Sequence, residues 1–194
     1  MFDRRHQVRP DRTSKLSARA QRVLLRWAFR DDLTGLLNRR GFRLMSASRL
    51  QAARRGGHDV LMFYADLDGF KLINDKFGHA QGDQALVRVA ASLKRTFRKT
   101  DILARIGGDE FVALVTEDPN CSPESVCRRL RENLARLSTD VSRYHLSISV
   151  GVARWDPKAV PALRRMLSVA DRQLNHAKQS RQASTPRNTR RLAV

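Results

Sequence analysis

"DILARIGGDEFVALV", Asp101 to Val115, decides how this chain folds. Apolar runs flank the Gly107-Gly108 step, and a glycine pair in that position marks a β-hairpin because the favoured tight turns need positive φ. Asp109 and Glu110 follow the turn directly. Neighbouring residues on a strand point to opposite faces, so the two acids serve different purposes.

The surrounding sequence supplies partners for this hairpin. "DVLMFYADLD", Asp59 to Asp68, reads as a buried strand from its near-continuous apolarity. Asp66 ends it, and Asp68 shares its face if the strand continues. A short helix is predicted from about Gly69, and a longer one from about Gly82 to Lys99 with Leu86, Val89, Ala90 and Leu93 on one face. After the hairpin come a helix over about Pro123 to Leu137, the strand "YHLSISVGVA" and a final helix from about Pro161 to Ser180. Interleaved strands and helices that include a hairpin predict an α/β (α+β) fold: a mixed central sheet with an antiparallel hairpin and helices packed around it.

With 194 residues, 41% of them hydrophobic, the chain can bury one core. We divide it into a basic segment at 1–30, a globular domain at 31–180 and a basic, disordered tail at 181–194. In the first thirty residues nine Lys or Arg face two Asp, and Leu16, Ala20, Val23, Leu24, Trp27 and Ala28 recur with a helical period. That amphipathic helix suits packing on its own domain, a dimerising stalk, a signalling partner or a membrane surface.

The formal charge of +19 attracts polyanions, whether nucleic acid, anionic lipid or nucleotide phosphates. Aromatics are only 6%, with no stacking motif or zinc spacing, which argues against a dedicated nucleic-acid site. Cys121 and Cys127 lack metal-ligand spacing and read as ordinary thiols of a reducing compartment, ahead of a disulfide. No stretch approaches the ~20 apolar residues of a spanning helix, and the N-terminus shows no apolar leader, so the expected location is the cytoplasm.

Two carboxylate-tipped strands side by side repel each other unless a cation joins them. Oxygen ligands from few carboxylates suit Mg²⁺ bound together with substrate phosphates. The stretch "DLDGFKLINDKFGHAQGDQAL", Asp66 to Leu86, adds Lys71 for a phosphate. It also adds Asn74 and Asp83, an amide and a carboxylate able to read the donor and acceptor edge of a guanine. His79 reads as a loop tie, and His6, His58, His145 and His176 are scattered without ligand spacing.

"DDLTGLLNRRGF", "DLDGFKLINDKFGHAQGDQAL", "RIGGDEF" and "LSISVGVA" stand in the order and at about the distances of the GGDEF family, the diguanylate cyclases, which this chain resembles from about Asp31 to Lys178. The resemblance implies a fold like the palm of nucleotide cyclases. It also implies a reaction in which a homodimer condenses two GTP into cyclic di-GMP and releases two pyrophosphates, catalysed by positioning and charge neutralisation. Asp66, Asp109 and the carbonyl of Leu67 are then the ligands of Mg²⁺, with Mn²⁺ as a substitute. Glu110 assists deprotonation or makes a second contact to the metal. Asn74 and Asp83 recognise guanine, and Lys71 with the backbone of Gly69 and Phe70 holds phosphates. Arg105 supports the phosphates or the dimer, or is a structural arginine.

Two further features come with the resemblance. "RKTD", Arg98 to Asp101, matches the family's product-inhibition motif, with Arg129 as a second arginine for cyclic di-GMP, since a guanidinium both pairs with phosphate and stacks on guanine. Near the C-terminus the family reads A-K-x-x-G-R-N where this chain has "AKQSRQAS". Lys178 keeps its phosphate role, Asn175 replaces a tyrosine, and Arg181 comes one residue early, about 100° around a helix. The competing readings are a non-catalytic receptor for GTP or cyclic di-GMP and a basic nucleic-acid-binding protein. The intact "GGDEF" counts against the receptor.

Overall fold

The computed structural model describes residues 20, 27–117, 122–138, 144–160 and 163–184. Most of the expected N-terminal helix, Cys121 and residues 185–194 lie outside them. In chain order the elements are α1 (Arg39–Gly56), β1 (Val60–Leu67), α2 (Phe70–Phe77), α3 (His79–Thr96), β2 (Ile102–Arg105), β3 (Glu110–Thr116), α4 (Pro123–Ser138), β4 (Ile148–Trp155) and α5 (Leu163–Ser184).

The strands form one sheet in the order β2-β3-β1-β4. β1 is buried along its whole length because it is central and covered on both faces. Leu61, Phe63, Ala65 and Leu67 meet α3 and α4, while Val60, Met62 and Tyr64 meet α1 and α5. That alternation is the pleat at work, and it explains why the strand reads as continuously apolar.

From β1 the chain crosses over α2 and α3 to β2 at the sheet edge, turns into β3, which fills the gap beside β1, and returns through α4 to β4. This is a split βαβ arrangement. The strand ladders are antiparallel, and the parallel component of the expected mixed sheet reduces to the bridge Leu37↔Ala104 at the outer edge. The expected α+β class therefore holds.

Several boundaries differ from the sequence expectation. The third helix starts at His79 instead of Gly82 and ends at Thr96 instead of Lys99. β4 starts at Ile148, four residues inside "YHLSISVGVA", and α5 runs past Ser180 to Ser184. Sequence periodicity missed α1, whose buried Phe42, Leu50 and Ala53 are diluted among six arginines. Its ends were nonetheless written in capping residues: the Asn38 side chain accepts from the Gly41 N–H, and Gly57 closes the helix at φ 69°.

One close approach places the site. A side chain at Gly151 would run into the Ala170 carbonyl and the Leu174 N–H, so β4 lies directly against α5. One turn beyond Leu174, α5 carries Lys178 over the end of β1. Cys127 is buried in the other layer, and that burial pushes its thiol pKa up, as expected of an inert structural thiol.

Candidate active site

The hairpin is present, but it is not the tight positive-φ turn expected. Arg105↔Phe111 is its last strand pair, the Ile106 N–H donates to the Glu110 carbonyl at 2.9 Å, and neither Gly107 nor Gly108 has positive φ. A loop this wide turns without left-handed residues. Gly107 is explained instead by space, since a side chain there would meet the Glu110 carboxylate. Arg105 straps the turn: its Nε and Nη2 donate to the Gly108 carbonyl at 3.0 and 2.7 Å, and its Nη1 lies 3.2 Å from both oxygens of Asp31. These contacts are the ones the structural reading of Arg105 requires, and Asp31 is a residue that sequence reasoning missed.

Asp31 also accepts from the Thr34 N–H and hydroxyl at 2.9 and 2.6 Å. Burial pushes its carboxyl up, but the Thr34 hydrogen bonds and the Arg105 guanidinium together hold it below the ordinary value. The spacing Asp-x-x-Thr just before a helix was the available signal for such a turn.

The two strand ends meet as the sequence suggested. Asp66 pairs in register with Glu110, and the Leu67 N–H donates to the Asp109 carbonyl at 3.2 Å. Asp66, Leu67 and Asp109 therefore share one corner. Asp66 is buried, and burial pushes its carboxyl up; the charges of Asp109 and Asp68 add to this, while Lys178, with Nζ 2.7 Å from Oδ1, opposes it. Asp68 continues the ladder by donating its N–H to the Ser147 carbonyl at 3.0 Å, and its carboxylate accepts from the hydroxyls of Ser147 and Ser149 at 2.8 and 2.6 Å. It braces β1 against β4.

Glu110 has separate partners. Tyr64 donates its hydroxyl to Oε1 at 2.9 Å, and Nη2 of Arg39 stands 4.0 Å from Oε2. Burial first, and the Glu110 carboxylate second, raise the Tyr64 pKa, so the phenol keeps its proton. Sequence reading passed over Tyr64 and Arg39. A tyrosine in a largely apolar buried strand is itself a sign that its hydroxyl needs a partner.

The remaining residues surround α2 and its junction with α3. Gly69 precedes α2 at φ 69°, a conformation costly for residues with a side chain, and Phe70 and Lys71 open the helix directly after it. Among the described residues the buried Asn74 Oδ1 has no hydrogen-bond partner, and a side chain at Gly82 would occupy its place. Asp83 is exposed in the next turn of chain.

"RKTD" forms a turn after α3. The Asp101 carboxylate accepts from the Arg98 N–H at 2.8 Å, and burial raises its pKa against the pull of Arg98 and Arg49. Arg129 reaches from α4 to the Thr96 carbonyl at 3.0 Å, at the end of α3 and two residues before Arg98. In α5, Asn175 contacts Asp171 at 3.4 Å. The backbone stays helical through Ser184, without the remodelled end that a phosphate contact from Arg181 requires.

The corner suits a hard divalent cation. Its donors are carboxylate and carbonyl oxygens, and its crowded carboxylates already attract the Lys178 ammonium. Among the described residues no group of three or more His, Cys, Asp or Glu forms a complete metal cage, so substrate phosphates would have to supply further ligands. Among the described residues no helix is long and apolar enough to cross a membrane.

A split βαβ sheet with paired carboxylates where a strand end meets a glycine hairpin defines the palm-like class of nucleotide-handling domains. Residues 28–184 match the family model "Diguanylate cyclase, GGDEF domain", and the chain belongs to that family. It is 35% identical over 169 residues to the probable diguanylate cyclase DgcC of Escherichia coli K12, covering 87% of this chain and 45% of that protein. It is 33% identical over 146 residues to the diguanylate cyclase DgcP of the same strain, covering 74% of this chain and 42% of that one. The chain thus spans less than half the length of these curated relatives. Among solved structures it superposes on the coiled coil and GGDEF domain of DgcB from Caulobacter crescentus in complex with c-di-GMP, with TM-score 0.71, 25% identity and coverage of 87% and 93% of the two chains. It also superposes on the diguanylate cyclase SiaD in complex with its activator SiaC from Pseudomonas aeruginosa, with TM-score 0.73, 29% identity and coverage of 88% and 65%.

Proposed function

We propose that this chain is a Mg²⁺-dependent diguanylate cyclase, the GGDEF domain occupying 31–180, that joins two GTP into cyclic di-GMP across a homodimer. The observation that carries the proposal is the meeting of Asp66 and Asp109 at one corner, with a cation already drawn to Asp66. Mg²⁺, or Mn²⁺ in its place, bound there by Asp66, Asp109 and the Leu67 carbonyl would neutralise charge on the phosphates and acidify the attacking hydroxyl.

The chain's own residues do the positioning. Asn74 offers its empty amide oxygen, and Asp83 its carboxylate, to the donor edge of guanine. Gly69, Phe70 and Lys71 hold the phosphates through the start of α2, and Lys178 turns from Asp66 to the phosphates as the corner fills. In each half-reaction a 3′-oxygen forms a bond to the α-phosphorus of the other GTP, the bond to the β-phosphate oxygen breaks, and pyrophosphate leaves with the electron pair. Glu110, steadied by Tyr64 and Arg39, takes the hydroxyl's proton or makes a second contact to the cation. Because each GTP attacks the other, one protomer cannot complete the ring. Product held by Arg98, Asp101 and Arg129 slows the enzyme by favouring an inactive arrangement.

The test is incubation of the purified chain with GTP and Mg²⁺, with products identified by chromatography and mass. Cyclic di-GMP and pyrophosphate in a 1:2 ratio, at a rate rising more than linearly with protein concentration, are expected. GTP bound but unchanged at every protein concentration would make the chain a receptor instead.

A further inference from the structure

Between α1 and α5, behind the hairpin, lies a cavity of about 640 Å³, within the usual size range of small-molecule sites. Apolar walls from Phe42, Leu163 and Leu167 share it with the guanidinium-bearing Arg39, Arg43 and Arg164. Asp171 is the acid among its lining residues, so the cavity keeps a positive surplus. Among the described residues Arg43 and Arg164 make no ion pair. The cyclase reaction proposed above uses neither arginine.

We propose that this cavity is a second binding site, for a phosphorylated small molecule with an apolar or aromatic body. Arginine forks suit phosphate oxygens, and the first turns of α1 and α5, which line the cavity, contain no acid to compete with a bound anion. The apolar walls suit a flat ring system of nucleotide size. Tyr64, 7% exposed, lines the same cavity while its hydroxyl holds Glu110, so an occupant touches two residues, Arg39 and Tyr64, that set the hairpin carboxylate. Only that link to Glu110 rests on the cyclase reading; binding does not.

The chain contains two tyrosines, which makes the experiment specific. Tyr64 reports on the cavity, and Tyr144, whose hydroxyl donates to the Gln81 carbonyl at 3.1 Å, reports near Asp83 and the guanine groups. Full-length protein carrying labelled tyrosine is titrated with adenosine 5′-monophosphate without metal and followed by NMR, the two signals being assigned with Tyr64→Phe. Saturable movement of the Tyr64 signal with Tyr144 still is expected. Binding should weaken at least about ten-fold in the Arg43→Ala/Arg164→Ala double variant, whose substituted side chains are exposed, and similarly for pyrophosphate, which lacks the apolar body. A Tyr64 signal that stays fixed, movement of Tyr144 alone, or equal affinity in the double variant would overturn the site. Each result is independent of whether the chain condenses GTP.

Discussion

The Lys178 ammonium stands 2.7 Å from Oδ1 of Asp66, a carboxylate that burial, and after it the charges of Asp109 and Asp68, disfavours as an anion. If the proposed Mg²⁺ binds at this corner, it would compete with a cation that the chain itself supplies. Lys178→Met should therefore tighten Mg²⁺ binding in the absence of nucleotide by a few-fold, read by calorimetry. It should raise the KM for GTP by about ten-fold through loss of one charged phosphate contact. Weaker Mg²⁺ binding without nucleotide would show that the lysine supports the corner instead of competing for it.

The same carboxylate makes a pH prediction. Its folded pKa lies above the ordinary value of 3.8, with burial as the main cause, so its contribution to stability is full below that value and is lost as pH rises through the folded pKa. Asp66→Asn removes this dependence. At neutral pH the variant should melt at or above the wild-type temperature while losing turnover by about 10³-fold. A clearly lower melting temperature at neutral pH would mean that the ion pair with Lys178 outweighs the cost of burying the charge.

Asp31 and Arg105 offer the opposite sign. Asp31 has a lowered pKa, so its stabilisation is present above the ordinary carboxylate value and disappears as pH falls through the folded one. Asp31→Ala cuts a two-pronged contact that holds the Gly108 turn and should cost about 2 kcal/mol in urea unfolding. Asp31→Ala and Arg105→Ala should be strongly non-additive in a double-mutant cycle; additive effects would break the assigned strap.

Asn74 carries a buried acceptor with no partner, a cost of about 1–3 kcal/mol in the free protein. Asn74→Ala should leave stability unchanged or improved while lowering the preference for GTP over ATP. Gly82→Ala should do the same by forcing the Asn74 side chain aside. Retained preference in both variants would place base recognition elsewhere.

Arg98 is tested by progress curves with and without added cyclic di-GMP. Arg98→Ala should keep the initial rate, since the substitution spares the Arg98 N–H that Asp101 holds, and should lose the slowing as product accumulates. Equal inhibition of both proteins would leave "RKTD" as a turn and nothing more.

The sequence by itself determined the elements whose residues are chosen by one physical demand at a time. β1 was legible because a strand covered on both faces must be apolar throughout, and the hairpin because glycines break two apolar runs. The meeting of Asp66 with the Asp109-Glu110 step was legible because these acids stand at the ends of the runs that pair. α1 was not, since six arginines dilute its few buried residues and only its caps betray it.

Which partner each polar group meets is set by the packing of the elements. Nothing local tells that Arg105 answers to Asp31, 74 residues away, or that Tyr64 answers to Glu110, because such contacts depend on sheet register and not on neighbours in the chain. The approach of β4 to α5 at Gly151 carries Lys178 to Asp66, and the spacing between α1 and α5 opens the arginine-lined cavity. A one-residue slip of β1 would turn Tyr64 and Asp66 to the other face of the sheet, away from Glu110 and Lys178, so their pairing belongs to the packing of the layers.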